Sequence, residues 1–132
     1  MFKGLDHIAI AVADTEEALT IWRDRFGFPV LFSEVVNKGT VLLTHLDLGN
    51  THLQLVQPLS PDHPLWDRVR RGGPSLYHFC LAVDRIDTFL QESAKRGLPP
   101  GEREPHQGTQ GQRALFLSTG STGGVQVELT GA

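Results

Sequence analysis

Two short stretches of strict alternation stand out along the chain. Ile8, Ile10 and Val12 alternate with His7, Ala9 and Ala11, and Phe79, Leu81 and Val83 alternate with His78, Cys80 and Ala82. A period of two marks a half-buried strand. Each stretch therefore predicts a strand with large apolar residues on its packing face and a histidine among small residues on the other. Both lead into a helical pattern. Asp14 with Glu17, and Asp84 with Asp87, offer N-cap acceptors and negative charge at a helix start. Ala18, Trp22 and Phe26 in one segment, and Ile86, Phe89, Leu90 and Ala94 in the other, recur at helical spacing, and Gly27 and Gly97 end the two runs. Three strand-like segments follow the first helix, about Val30 to Val35, Thr40 to Leu48 and Thr51 to Gln57, with turns at Asn37-Lys38-Gly39 and Gly49-Asn50. Three shorter ones follow the second, near Gly101 to Glu104, Arg113 to Leu117 and Val125 to Leu129.

The run from Asp6 to Val12 is echoed from Tyr77 to Val83, so the chain reads as two similar halves, each strand, helix, then three strands. The break falls between Gln57 and Pro74, where Pro58, Pro61, Pro64, Gly72, Gly73 and Pro74 surround Leu65, Trp66 and Val69, a linker with one or two helical turns. The expected organisation is a single domain, residues 1–132, with module one at about 1–58, the linker at about 59–74 and module two at about 75–132. Neither half can bury both faces of a small sheet alone. The expected fold is α+β: two tandem βαβββ modules forming one curved eight-stranded mixed sheet, helices on its convex side, around a concave metal-binding cleft.

Composition narrows the function. The 132 residues, 39% hydrophobic and 20% charged, suit one globular domain. Lys+Arg is 12 against Asp+Glu 15, a net charge of −3, so no basic surplus exists for generic nucleic-acid binding. The longest apolar stretches, such as Ile8 to Ala13, fall far short of the ~20 residues of a membrane span. The start from Met1 to Asp6 shows no charged region leading into an apolar one, and Cys80, the single cysteine, has no internal disulfide partner. A cytoplasmic protein is expected.

The closing strand of each half carries the candidate chemistry. Thr51, Leu53 and Leu55 alternate with His52, Gln54 and Val56, while Val125, Val127 and Leu129 alternate with Gln126, Glu128 and Thr130. If the repeat is structural, pseudo-twofold symmetry brings together His7, Gln54, His78 and Glu128. Two imidazoles, an amide oxygen and a carboxylate suit a divalent first-row metal and leave room for water or substrate. One histidine on a half-exposed strand is ordinarily solvated or hydrogen-bonded. Two at equivalent repeat positions, each followed about 50 residues later by Gln or Glu, carry the inference together. His52 is the rival on the Gln54 strand face. Cys80 shares the His78 face and reads as a small buried hydrophobe. His45, His63 and His106 read as surface residues.

These residues resemble the vicinal oxygen chelate superfamily of glyoxalase I, fosfomycin-resistance proteins, extradiol dioxygenases, bleomycin-binding proteins and methylmalonyl-CoA epimerases. The resemblance covers nearly the whole chain and is closest to the epimerase branch. It runs through Leu5 to Val12, Leu48-Gly49-Asn50-Thr51 leading into Gln54 and Pro58-Leu59, His78 with Val83-Asp84, Glu104-Pro105, and Ser121-Thr122-Gly123-Gly124-Val125 before Glu128-Leu129. It implies paired βαβββ modules, one divalent ion per chain (Co, Mn, Ni or Zn) on His7, Gln54, His78 and Glu128, and a homodimer. Two departures stand out. Epimerase-like sequences read His-Pro-Lys where this chain has Ser118-Thr119-Gly120, which removes a contributor to acyl-CoA recognition, and a second carboxylate of some epimerases is matched here by Leu42.

The implied activity is proton transfer next to a carbonyl or thioester through a metal-stabilised enolate. Glu128 is the expected catalytic base, with Glu34 or Asp47 as weaker candidates for the opposite face. The implied substrate is a small molecule, an acyl-CoA or a glutathione adduct. A glyoxalase I-like lactoylglutathione lyase is the enzymatic alternative, although Glu is commoner than Gln at the Gln54 position there. A drug-sequestering protein of the same fold is the non-enzymatic alternative, and the low aromatic content, 8%, speaks against it. An extradiol dioxygenase ranks third, because Gln54 would crowd the open site that iron needs.

Overall fold

The computed structural model describes residues 1–132. Its strands are β1 (Phe2–Ala11), β2 (Val30–Val36), β3 (Val41–Asp47), β4 (His52–Pro58), β5 (Ser75–Val83), β6 (His106–Gln107), β7 (Arg113–Phe116) and β8 (Val127–Gly131). The helices are α1 (Thr15–Leu19), which widens into a π-helical stretch over Thr20–Arg25, α2 (Trp66–Gly72) and α3 (Ile86–Glu92). All eight strands belong to one sheet in the order β2-β3-β4-β1-β5-β8-β7-β6. The chain divides into two compact units, here the N-terminal unit, His7–Tyr77, and the C-terminal unit, Met1–Asp6 with His78–Ala132. Strand β1 contributes to both.

In the N-terminal unit β1 and β4 run parallel, and β4, β3 and β2 follow as antiparallel neighbours. Asp14 caps α1 as its spacing predicts, accepting from the backbone N–H of Glu16 and Glu17. The large-residue face packs under this helix: Ile10, Val12, Leu46, Leu53 and Leu55 close on Ala18 and Leu19, with Trp22 and Phe28 at the margin. The small-residue face carries a second core at one end. Ala9 and Ala11 meet Val36, Val41, Leu43 and Val56, and the linker covers them with Val69 of α2 and Leu65 at its N-cap. The one or two helical turns expected of the linker thus close part of a face that alternation alone leaves open.

In the C-terminal unit β5 and β8 run parallel, with β7 and β6 antiparallel beyond them. Ile86 and Phe89 of α3, both wholly buried, pack on Leu115, Val127 and Leu129. Two expectations need correction here. Asp84 does not cap α3; Arg85 holds the extended N-cap position without a side-chain bond. The Asp84 carboxylate lies 3.2 Å from the Lys3 ammonium, and its carbonyl accepts the Ala132 N–H at 3.1 Å. The short strand falls at His106–Gln107 and not at Gly101–Glu104, where only an isolated bridge joins Pro100 to Leu117. Gly101 lies so close to β7 that a Cβ there would sit 2.7 Å from the Leu117 carbonyl oxygen. That approach brings the next residue, Glu102, to the Phe116 backbone N–H at 2.7 Å.

Candidate functional site

Each unit assembles a buried polar cluster on its small-residue face, and the two share one register. In the N-terminal unit Gln54 of β4 stands opposite Ala9, two residues beyond His7. In the C-terminal unit Glu128 of β8 stands opposite Cys80, two residues beyond His78. Because strand side chains alternate, two residues along is the same face. His7, Gln54, His78 and Glu128 are all buried, none more than 7% exposed. Placing such groups away from water requires partners, and the partners differ between the units.

Gln54 lies opposite His45 on β3, and its Nε2 sits 2.9 Å from His45 Nε2. His45 Nδ1 in turn lies 2.9 Å from Nδ1 of His52, which stands opposite His7 on β4. Phe32 of β2 stacks on His45 with ring centres 4.5 Å apart, and His7 meets the same imidazole edge-on at 5.4 Å. His45 is therefore no surface residue; it is 2% exposed and central to the cluster.

In the C-terminal unit one Glu128 oxygen lies 3.1 Å from His78 Nε2 and the other accepts from His106 Nε2 at 2.9 Å. His106 Nδ1 donates to Glu102, 2.8 Å away, whose carboxylate is itself fixed by the Phe116 N–H. Burial alone would lower the His106 pKa, but the hydrogen bonds to Glu102 and Glu128, with their charges, outweigh it and raise it to about 9. His106 is thus an imidazolium between two carboxylates at neutral pH, not the surface residue expected. Cys80, wholly buried, bears out its reading as a small hydrophobe: burial first, then Glu128 and Asp6, push its thiol well above the ordinary range. His63 is half-buried, and its Nδ1 accepts the Leu65 N–H at 3.1 Å. The secondary carboxylates, Glu34 and Asp47, are half-buried, and Asp47 holds the Gly49 N–H of the β3–β4 turn at 2.7 Å.

The donor chemistry fits a divalent cation. Each unit offers borderline-to-hard donors of the kind such an ion takes: an imidazole and an amide oxygen in the N-terminal unit, an imidazole and a carboxylate in the C-terminal unit. His78 and Glu128 already converge, and Gln54 and Glu128 each carry an outer hydrogen-bond partner of the kind that orients metal ligands, His45 and His106 respectively.

Known proteins resemble this chain along nearly its whole length. The family model of the Glyoxalase/Bleomycin resistance protein/Dioxygenase superfamily matches residues 6–116. The mitochondrial methylmalonyl-CoA epimerase of Mus musculus is 34% identical over 128 residues, covering 95% of this chain and 71% of its own. The ethylmalonyl-CoA/methylmalonyl-CoA epimerase of Cereibacter sphaeroides is 31% identical over 133 residues, 98% of each chain. A variant of Streptomyces coelicolor methylmalonyl-CoA epimerase, solved with 2-nitronate-propionyl-CoA, superposes with a TM-score of 0.86 at 25% identity over 100% of this chain and 99% of that one. From the matched span and these relatives together, the chain belongs to the glyoxalase/bleomycin resistance/dioxygenase superfamily, on the side of its methylmalonyl-CoA epimerases.

Proposed function

We propose that this chain is a divalent-metal-dependent epimerase of acyl-CoA thioesters of the methylmalonyl-CoA type, with His7, Gln54, His78 and Glu128 as ligands and Glu128 as the base that takes the α-proton. The observation that carries the reading is the common register: in both units a buried oxygen donor faces the residue two positions beyond a buried first-strand histidine. The relatives named above support the substrate class, as does a methylmalonyl-CoA epimerase solved with methylmalonyl-CoA, 25% identical and covering 100% of this chain.

A divalent ion, when bound, supplies Lewis-acid withdrawal of charge from a carbonyl and so acidifies the neighbouring C–H. The remaining work belongs to the chain. Glu128 accepts the α-proton; His106 fixes one of its oxygens and His78 meets the other, so the carboxylate is oriented before substrate arrives. Its burial keeps competing water from the carboxylate. Inversion needs a proton returned on the opposite face, for which Glu34 and Asp47, both half-buried, are the candidate carboxylates.

Deuterium exchange at the α-carbon of methylmalonyl-CoA tests the reading. Protein loaded in turn with Co, Mn, Ni or Zn should incorporate deuterium from D2O with at least one of them and lose the activity on chelation. No exchange with any of the four overturns the assignment. Turnover of the methylglyoxal–glutathione hemithioacetal without exchange of the CoA ester would transfer the protein to the glyoxalase reaction.

A further inference from the structure

With the Gln54 amide nitrogen toward His45, the hydrogen bonds around that ring assign its proton. The Gln54 amide nitrogen has hydrogens to give and no lone pair to accept with, so at 2.9 Å it donates to His45 Nε2. His45 Nε2 is therefore bare and the imidazole neutral, with its proton on Nδ1. That proton is donated to His52 Nδ1, also 2.9 Å away, which leaves the His52 proton on Nε2. The result is a one-way chain, Gln54 to His45 to His52, running from a buried amide to a half-buried ring. An amide that gives its NH2 group to one side presents its oxygen to the other.

We propose that His45, steadied by His52, is a positioning residue that fixes Gln54 with its amide oxygen turned away from the imidazole pair and available as a ligand. The proposal rests on the reading of Gln54 as a metal ligand. Without an acceptor on β3, the amide rotates freely between presenting oxygen and presenting NH2, and only the first binds a cation. His45 is held for this task on three sides: Phe32 lies flat against it, tilted by 18°, His7 contacts its edge, and the β3–β4 register sets it directly opposite Gln54. Outer partners of this kind typically contribute about 10–100-fold to metal affinity.

Two measurements test it separately from the metal reading. In the metal-free protein, correlation of imidazole nitrogens with ring protons should find His45 protonated on Nδ1 and His52 on Nε2. His45 protonated on Nε2 would mean that the amide oxygen faces it, which overturns the proposal whatever the metal does. Competition of the protein with a chelator for Co(II) then gives affinities. His45→Phe keeps the stack on Phe32 and removes the acceptor, and should weaken Co(II) binding about 10–100-fold. In a Gln54→Glu background, where both side-chain oxygens can ligate, the same change should have an effect below about threefold. Should His45→Phe fail to fold, His52→Leu, which removes the end of the chain, should weaken binding, and His52→Gln, which restores an acceptor, should recover it. Wild-type affinity in His45→Phe or His52→Leu overturns the positioning role alone. A wild-type protein that binds no Co(II) overturns the metal reading and the proposal with it.

Discussion

The two units solve one problem with the same pair of ring types in exchanged places. In the N-terminal unit a phenylalanine on the outer strand, Phe32, stacks on a histidine of the next strand, His45. In the C-terminal unit the histidine is on the outer strand, and His106 stacks on Phe116 at 5.1 Å. Each histidine reaches the oxygen donor of its closing strand, but the donor decides its charge. Gln54 turns its amide nitrogen toward His45, whose facing nitrogen therefore accepts. A carboxylate offers lone pairs, so His106 is a donor, and a second carboxylate at Glu102 holds it protonated. The lesson is that a buried histidine takes its protonation state from what faces it. Fold position alone does not set it.

The largest test of this comparison makes the two units alike. Glu128→Gln converts the C-terminal donor into the N-terminal one, keeps an oxygen for a metal and removes the base. Deuterium incorporation into methylmalonyl-CoA at saturating metal should fall by about 100-fold or more. Near-normal exchange in the metal-loaded variant would reduce Glu128 to a ligand and move suspicion to Glu34 or Asp47.

A middle-sized effect separates the charged cluster from the neutral one. His106→Phe leaves Glu102 and Glu128 without their shared cation and removes two hydrogen bonds to charged groups, each worth about 2 kcal/mol. Denaturant unfolding of the metal-free variant should therefore show a loss of about 4 kcal/mol, larger than the loss of about 2 kcal/mol for His45→Phe, which removes two neutral hydrogen bonds. Equal losses would mean that His106 is not charged in the folded protein.

The four residues proposed as ligands could be picked out in sequence because period two is legible: His7, His78, Gln54 and Glu128 lie on strands whose large and small residues alternate. The partners were hidden for two different reasons. Strand β3 is buried on both faces, from Leu43 to Leu46 without a break, so its alternation does not mark His45 as inward or outward. A signal did exist, since His45 and Gln54 flank the Gly49-Asn50 turn symmetrically and a tight hairpin pairs such residues. His106 had no such signal. Its strand is two residues long, too short for any period, and its partner Glu102 is placed by the approach of Gly101 to β7, a tertiary event. The same blindness explains Asp84, which has the right residue type for a cap but is drawn off toward Lys3.

The smallest effect lies where each helix is tied to its sheet. In the N-terminal unit the tie is neutral: the Thr15 N–H and hydroxyl both donate to Gln57 on β4, at 2.8 and 2.7 Å. In the C-terminal unit it is ionic and exposed: Arg113 of β7 donates to Asp87 of α3 at 2.8 Å, the two side chains 42% and 57% exposed. The Arg113 hydrogen bond, and then its charge, hold the Asp87 carboxyl below its ordinary 3.8. A depressed carboxyl stabilises the fold above its unfolded value and stops doing so as pH falls through the folded one. Asp87→Asn should therefore lower the melting temperature slightly at pH 7, with the difference fading below about pH 3.8 and in high salt, because exposed pairs are screened. Gln57→Leu, by contrast, strands two donors of the half-buried kind, and its loss should be the same in low and high salt. A salt-independent effect of Asp87→Asn would mean that Asp87 acts through the helix N-terminus itself and not through Arg113, and Arg113→Gln would then leave the melting temperature unchanged.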